Sequence, residues 1–188
     1  LTSVCPGLPN SHMTRQLYKA IPAFCALFFS MLLSAQAEVD VPVATDLQAD
    51  GSLAADRRLP ILLAFSAINC GYCDLLEEEF LQPMLLGGEY EDRIIIRKIV
   101  LDDGSRLTGF NGQRRDATSL SDHYRVFVTP TLLFVDSSGR ELTGRMLGIN
   151  TPELFGSYLD DCIYTALMKI LGIDRAQWPS TCLAGTQH

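Results

Sequence analysis

Hydrophobic and polar positions change period several times along this 188-residue chain. Asp40 to Ala44 is interrupted by proline and reads as an extended lead-in. Leu47 to Arg58 spaces Leu, Ala and charge as a helix does, with Gly51 weakening the pattern. Leu59 to Ser66, "LPILLAFS", is apolar almost throughout, as a strand covered on both faces would be. Helical spacing returns near Cys70 and runs to Leu81, and Pro83 is expected to end or kink that helix. Arg93 to Leu101, "RIIIRKIVL", is rich in β-branched residues and predicts a second central strand.

The second half continues the alternation. Asp102 to Asp116 is a polar loop with three glycines, long for a connection. Thr118 is placed to cap a short helix through Tyr124. Thr131 to Val135 reads as a strand, Asp136 to Gly139 as a turn, and Glu141 to Leu147 as the partner strand of a hairpin. In the last helix Thr151 caps, Pro152 takes the first position and Gly172 stops the run. Its apolar stripe runs from Leu154 and Phe155 through Tyr158, Leu159 and Cys162 to Leu171. Strands separated by helices imply a parallel pair, and the hairpin adds antiparallel edges. The expected class is α/β, a mixed central sheet with helices on both faces.

Charge divides the chain. All 22 acids lie at Glu38 or later, and residues 1–37 carry only Arg15 and Lys19. Residues 38–188 hold 13 basic and 22 acidic side chains, a net of −9, which argues against a nucleic-acid surface. Residues 13–37 have the layout of a secretory signal peptide: a basic start, an apolar core from Ile21 to Leu33, and Ala35-Gln36-Ala37 as cleavage site. That core is short of the ~20 residues of a membrane span, and an uncleaved membrane anchor is the alternative reading. Residues 1–12 are set aside as upstream or non-native sequence. Residues 38–188 are expected to form one domain in an exported, periplasmic protein, with cysteines 70, 73, 162 and 182 in an oxidising compartment.

Two of these cysteines stand three apart in "INCGYCD". Zinc prefers two close cysteine or histidine pairs, and Cys162 and Cys182 are not a second close pair. A haem anchor needs His after the second cysteine, where this chain has Asp74. A purely structural disulfide here would close a loop too small to restrain the unfolded chain much. Redox chemistry explains the placement. A helix N-terminus presents unpaired N–H groups and partial positive charge, which favour a thiolate at Cys70. Cys73, one turn on, is near enough to resolve a mixed disulfide. No metal or organic cofactor is required.

A strand, then C-x-x-C at a helix start, then Thr-Pro before a later strand, resembles the thioredoxin family. "PILLAFSAINCGYC", "DDGSRLTGFNG" and "HYRVFVTPTLLFVDSSGRE" look most like its exported members, including those of bacterial sulfur-oxidation gene clusters. Gly71-Tyr72 between the cysteines, with Thr129 before Pro130, is also similar to periplasmic disulfide isomerases. Those carry a dimerisation domain for which Glu38 to Asp46 leaves no room. The resemblance spans about Leu47 to Leu171. It implies a thioredoxin fold, a cis Thr129–Pro130 bond, and a substrate groove shaped by Gly71, Tyr72, Thr129 and Pro130. Proline has no N–H to compete, so an extended substrate could add along that edge as a strand. The implied partners are protein thiols and disulfides, with a membrane thiol carrier as electron donor.

The chain departs from the family in two places. Ala64 stands where cytoplasmic thioredoxins have a buried acid, and Asn69 where they have Trp. Glu77 is a candidate replacement acid, although Asp74, Glu77, Glu78 and Glu79 read more simply as a solvated face near a helix N-terminus. Cys162, on the buried stripe, is open to three readings: an inert core thiol, a disulfide with Cys182 that ties down a tail packed by Trp178, or a second redox pair. His123 is expected at the surface or near a helix end. Arg106, Arg114 and Arg115 make the 102–116 loop basic, which reads either as simple solvation or as a surface for an acidic partner. Two rival functions stand beside the reductase or isomerase: an oxidase of the same fold, and a non-catalytic peptide-binding or chaperone-like module.

Overall fold

The computed structural model describes residues 39–173 and Cys182. The expected signal peptide, residues 1–12 and Trp178 lie outside the described residues. Within them the elements are α1 (Leu47–Arg57), β1 (Ile61–Ser66), α2 (Gly71–Leu76), a π-helical turn (Glu77–Leu81), α3 (Gln82–Gly87), β2 (Ile95–Val100), β3 (Arg106–Thr108), β4 (Arg114–Asp116), α4 (Ala117–Tyr124), β5 (Thr131–Val135), β6 (Met146–Leu147) and α5 (Pro152–Leu171).

The main sheet has the order β2-β1-β5-β6. β1 runs parallel to β2 and antiparallel to β5, and β5 runs antiparallel to β6. The central strand β1 is buried at every position, as its unbroken apolar run requires. Its side chains alternate between two cores. Leu62 and Ala64 join Ile96, Leu132 and Phe134 under the helices that contribute Leu76, Leu81, Phe155 and Leu159. Ile61, Leu63 and Phe65 join Ile99, Leu133 and Val135 under α1 and α4. Helices thus cover both faces of a mixed sheet, the thioredoxin fold that the sequence pattern and resemblance predicted.

Several local expectations are corrected. Pro83 does not end the helix from Cys70. The backbone stays helical through a π turn in which the Gln82 N–H donates to the Glu77 carbonyl, and Pro83 sits at the start of α3, where its missing N–H costs little. The polar loop 102–116 contains a hairpin, β3 paired with β4, held by the buried Leu107 and joined to the lead-in through an Asp46–Thr108 bridge. Asp116, not Thr118, caps α4. Its carboxylate accepts the Ser119 N–H at 2.7 Å, while the Thr118 hydroxyl turns to the Leu101 carbonyl. Of Glu141 to Leu147 only Met146 and Leu147 form a strand, with Glu141 making a single bridge to Val135. The segment between bends away, drawn by Gly144 N–H to Cys182 O and by Arg145 to Glu141 and the Tyr124 carbonyl. Thr151 stands at the N-cap of α5 without a side-chain cap bond, and the stripe residues Leu154 and Tyr158 face outward. Gly51 weakens the helix on paper, but packing demands it, because a Cβ there would collide with the Ser137 carbonyl.

The turn after β5 carries a pH-dependent contribution. Burial alone would raise the Asp136 pKa. Hydrogen bonds from the Ser138 hydroxyl and N–H and from the Arg140 N–H and guanidinium outweigh it and hold the carboxyl below its usual 3.8. A depressed folded pKa means stability that is present above the unfolded value and lost as pH falls through the folded one. Asp136→Asn is therefore expected to lower the urea midpoint at pH 7 and to narrow the gap between the pH 7 and pH 3 midpoints. An unchanged gap would remove Asp136 from the acid response.

Candidate functional site

The site lies where β1 hands the chain to α2. Beyond Ser66 the chain passes Ala67, Ile68 and Asn69. Asn69 adopts the left-handed conformation at φ 56°, which Asn tolerates better than bulky residues. The neighbouring Ile68 N–H is held by the Asp102 carboxylate at 2.8 Å, which ties this turn to the end of β2. Cys70 then becomes the N-cap of α2, with extended backbone, and its carbonyl accepts the N–H groups of Cys73 and Asp74 at 2.8 and 3.0 Å.

Cys70 and Cys73 are joined in a disulfide with Cα atoms 5.2 Å apart. The two sulfurs differ in access. Cys70 is half-buried, whereas Cys73 is 1% exposed. Of the two residues, Cys70 is the one open to approach from solvent. The Thr129–Pro130 bond is cis, and the Thr129 hydroxyl lies 3.6 Å from Cys70 Sγ. Thr129 is thus brought beside Cys70 across 59 residues of chain, with the buried Pro130 next in sequence. Gly71 and Tyr72 are exposed on the first turn, and a Cβ at Gly71 would meet nothing within 4 Å. The flanking residues Ile68, Val128 and Phe127 are also exposed, Phe127 by 83%. These last three lie outside the site residues expected from the motif, and large exposed apolar side chains beside a reactive pair are the signal that marks them.

The other predicted residues lie elsewhere. Cys162 and Cys182 form a second disulfide with Cα atoms 5.0 Å apart, fully buried in the core under α5. That burial of both members sets it apart from the Cys70–Cys73 pair, in which Cys70 is only half-buried. His123 is exposed in the last turn of α4 with its ring edge-on to Tyr124. Arg106 and Arg114 are exposed on the β3–β4 hairpin, Arg106 opposite Asp116, and Arg115 shares a shallow cavity with His123 and Arg140. Glu77 is not part of a solvated face. Its carboxylate is largely covered and pairs with Lys98 at 2.6 Å. Among the described residues no three His, Cys, Asp or Glu side chains converge as metal ligands.

The arrangement suits two-electron thiol–disulfide exchange: an accessible sulfur at a helix start, a covered second sulfur one turn on, and a backbone edge without a competing N–H beside them. Set against known families, residues 47–163 match the model of the thioredoxin-like domain. Among solved structures the chain is similar to mitochondrial thioredoxin 3 from Saccharomyces cerevisiae, at 18% identity and a TM-score of 0.43, covering 64% of this chain and 94% of that one. It is also similar to thioredoxin O2 from Arabidopsis thaliana, at 20% identity and a TM-score of 0.43, covering 68% and 97%. A third is thioredoxin from Trypanosoma brucei brucei, at 19% identity and a TM-score of 0.42, covering 70% and 99%. No curated protein matches the chain.

Proposed function

Because the chain belongs to the thioredoxin-like domain family and carries an asymmetric C-x-x-C pair, we propose that it is an exported thiol–disulfide oxidoreductase that reduces or isomerises disulfides in other proteins. The observation that carries this reading is the contrast in access between Cys70 and the buried Cys73 beside Thr129 and Pro130. In the reduced protein the Cys70 thiolate attacks a substrate disulfide. A Cys70–substrate bond forms, the substrate S–S bond breaks, and the departing sulfur takes a proton from water. Cys73 then attacks Cys70, the mixed disulfide breaks, and the second substrate sulfur leaves. The substrate gains two electrons and the pair loses them.

Export is supported by the acid-free, apolar head of the sequence. An exported reductase needs reducing equivalents delivered to it, and a membrane-bound dithiol is the chemical class that fits. The groove formed by Gly71, Tyr72, Thr129 and Pro130 would take an extended segment carrying the substrate cysteine.

Removing the resolving sulfur tests this. Reduced Cys73→Ala, mixed with insulin, is expected to accumulate a covalent adduct through Cys70, visible by mass and reversed by dithiothreitol. If Cys73→Ala captures no more insulin than a variant lacking both cysteines, the catalytic reading falls.

A further inference from the structure

The β3–β4 hairpin stands apart from the main sheet as a two-stranded sheet of its own. Its tip folds over α4 and the turn after β5, and together these three elements enclose a cavity of about 320 Å³. The cavity is remote from the cysteine pair. β5 starts at Thr131, beside Pro130, and spans five residues, roughly 15 Å, before the turn that lines the cavity begins. Three cations reach it from three elements: Arg115 of β4, His123 of α4 and Arg140 after the turn. In a chain whose residues 38–188 carry a net charge of −9, that convergence calls for a reason.

The wall of the cavity is apolar and fixed. Gly139 sits at φ 85°, and a Cβ there would lie 2.5 Å from the Phe110 ring and 2.7 Å from the Tyr124 hydroxyl. That hydroxyl donates to the Gly139 carbonyl at 2.8 Å, which locks the turn to α4. The same Phe110 ring stands over Gly51 of α1. Leu120 and Tyr124 are buried. These surfaces are set before any ligand arrives, so little ordering remains to oppose binding.

Arg115 is the unusual member. It lies directly opposite Leu107 in the hairpin register, and opposed residues share one face of the pair. Leu107 is buried, so Arg115 occupies the inward face, half-buried between the exposed Arg114 and Asp116. An apolar residue would suit that position. No carboxylate pairs with Arg115 among the described residues. Asp136 and Glu141 are near enough to act on the Tyr124 hydroxyl, as Arg115 is, but both are engaged. Asp136 takes Arg140 and the Ser138 hydroxyl, and Glu141 takes Arg145. Asp116 accepts the Ser119 N–H at the cap of α4. Covering a cation without a partner costs free energy that an arriving anion recovers.

We propose that this cavity binds a small aromatic monocarboxylate, its carboxylate paired with Arg115 and its ring packed against Phe110 and Leu120. A guanidinium fork matches a carboxylate through two parallel N–H···O bonds. One unpaired guanidinium balances one negative charge, and Asp136 already draws on Arg140, so a monoanion fits better than a phosphate polyanion. His123 and Arg140 are exposed and stand at the rim, where they attract an anion without holding it tightly. The volume is at the small end of small-molecule sites, about 300–1,000 Å³, and suits one ring system rather than an extended acidic peptide. The ligand is not the substrate of Cys70 and Cys73, and the site stands whether or not that pair is catalytic.

Naphthoate, titrated into the whole chain and followed by calorimetry, is expected to bind saturably. The neutral naphthamide should bind about 10-fold or more weakly, and Arg115→Met should weaken naphthoate by a similar factor. Arg114→Met, the same charge change on the exposed side of the hairpin, should leave the affinity within about 2-fold. Without naphthoate, Arg115→Met should keep or raise the urea midpoint, because it removes a covered cation that has no partner. With naphthoate, the midpoint of the unmutated chain should rise and that of Arg115→Met should not. No saturation up to about 10 mM overturns the proposal. So does equal weakening by the two substitutions, or naphthamide binding as tightly as naphthoate. A lower midpoint for Arg115→Met without naphthoate would give Arg115 a structural role and overturn it too. Hexaglutamate binding where naphthoate does not would replace the small ligand with an acidic protein partner.

Discussion

Cys70→Ser is expected to reduce insulin-disulfide reduction to background, a loss on the order of 10³-fold or more, as when a covalent nucleophile is deleted. The substitution changes one atom and little volume. Cys70 is half-buried at the N-cap of α2, a position where serine is itself a favoured residue, so the fold should persist. What disappears is the chemistry. A hydroxyl is hardly ionised near neutral pH, and its oxygen forms no exchangeable bond with sulfur. Cys73 cannot stand in, because at 1% exposure a protein disulfide has no approach to it. Turbidity from reduced insulin B chain, supplied with dithiothreitol, gives the readout. Equal rates for Cys70→Ser and the unmutated protein would leave the pair without a catalytic role and favour a binding or chaperone-like module. Should the protein be active, the equilibrium of the pair against glutathione separates reductase from oxidase, since a strongly oxidising potential is incompatible with net reduction.

Phe65→Ala should cost the most stability of any change considered, about 3–5 kcal/mol. Phe65 is fully buried on β1, between β2 and β5, in register with Ile99 and Thr131. Its ring meets Tyr124 of α4 edge-on at 6.1 Å. Truncation removes both the buried apolar surface and the aromatic contact, and a central strand bonded on both edges has little freedom to collapse into the space. Against a domain stability of typically 5–15 kcal/mol, that is a large fraction. The urea midpoint should fall with little change in slope. Tyr72→Ala, at a residue 62% exposed, should stay within about 0.5 kcal/mol of the unmutated protein. A Phe65→Ala midpoint no lower than that of Tyr72→Ala would contradict the packing described for β1.

The elements that were legible were those whose signal is local. The continuous apolar run of β1, the β-branched run of β2 and the Pro-to-Gly frame of α5 needed no information from elsewhere in the chain. Misreadings arose where a distant group decided. Thr118 is a fair cap by type, but the Asp116 carboxylate is nearer the free N–H groups. Pro83 is a helix breaker unless the preceding turn widens, and a π turn has no clear mark in one sequence. The polar 102–116 stretch concealed a hairpin because the one buried side chain in its two strands is that of Leu107. Arg97 and Lys98 sit side by side in a strand meant to be covered on both faces, so each needed an acid from the helix above it.

By itself the sequence determined the alternation of helices and strands, the placing of Cys70 at a helix start and the one-turn spacing to Cys73, because hydrophobic period and helix geometry act over a few residues. Only the tertiary structure decided which sulfur is covered, that Thr129 stands against Cys70, that Cys162 meets Cys182, and that Glu77 is held by Lys98. Those facts depend on contacts between segments 20 to 59 residues apart, and such contacts are set by how helices pack on a sheet, which no local pattern encodes.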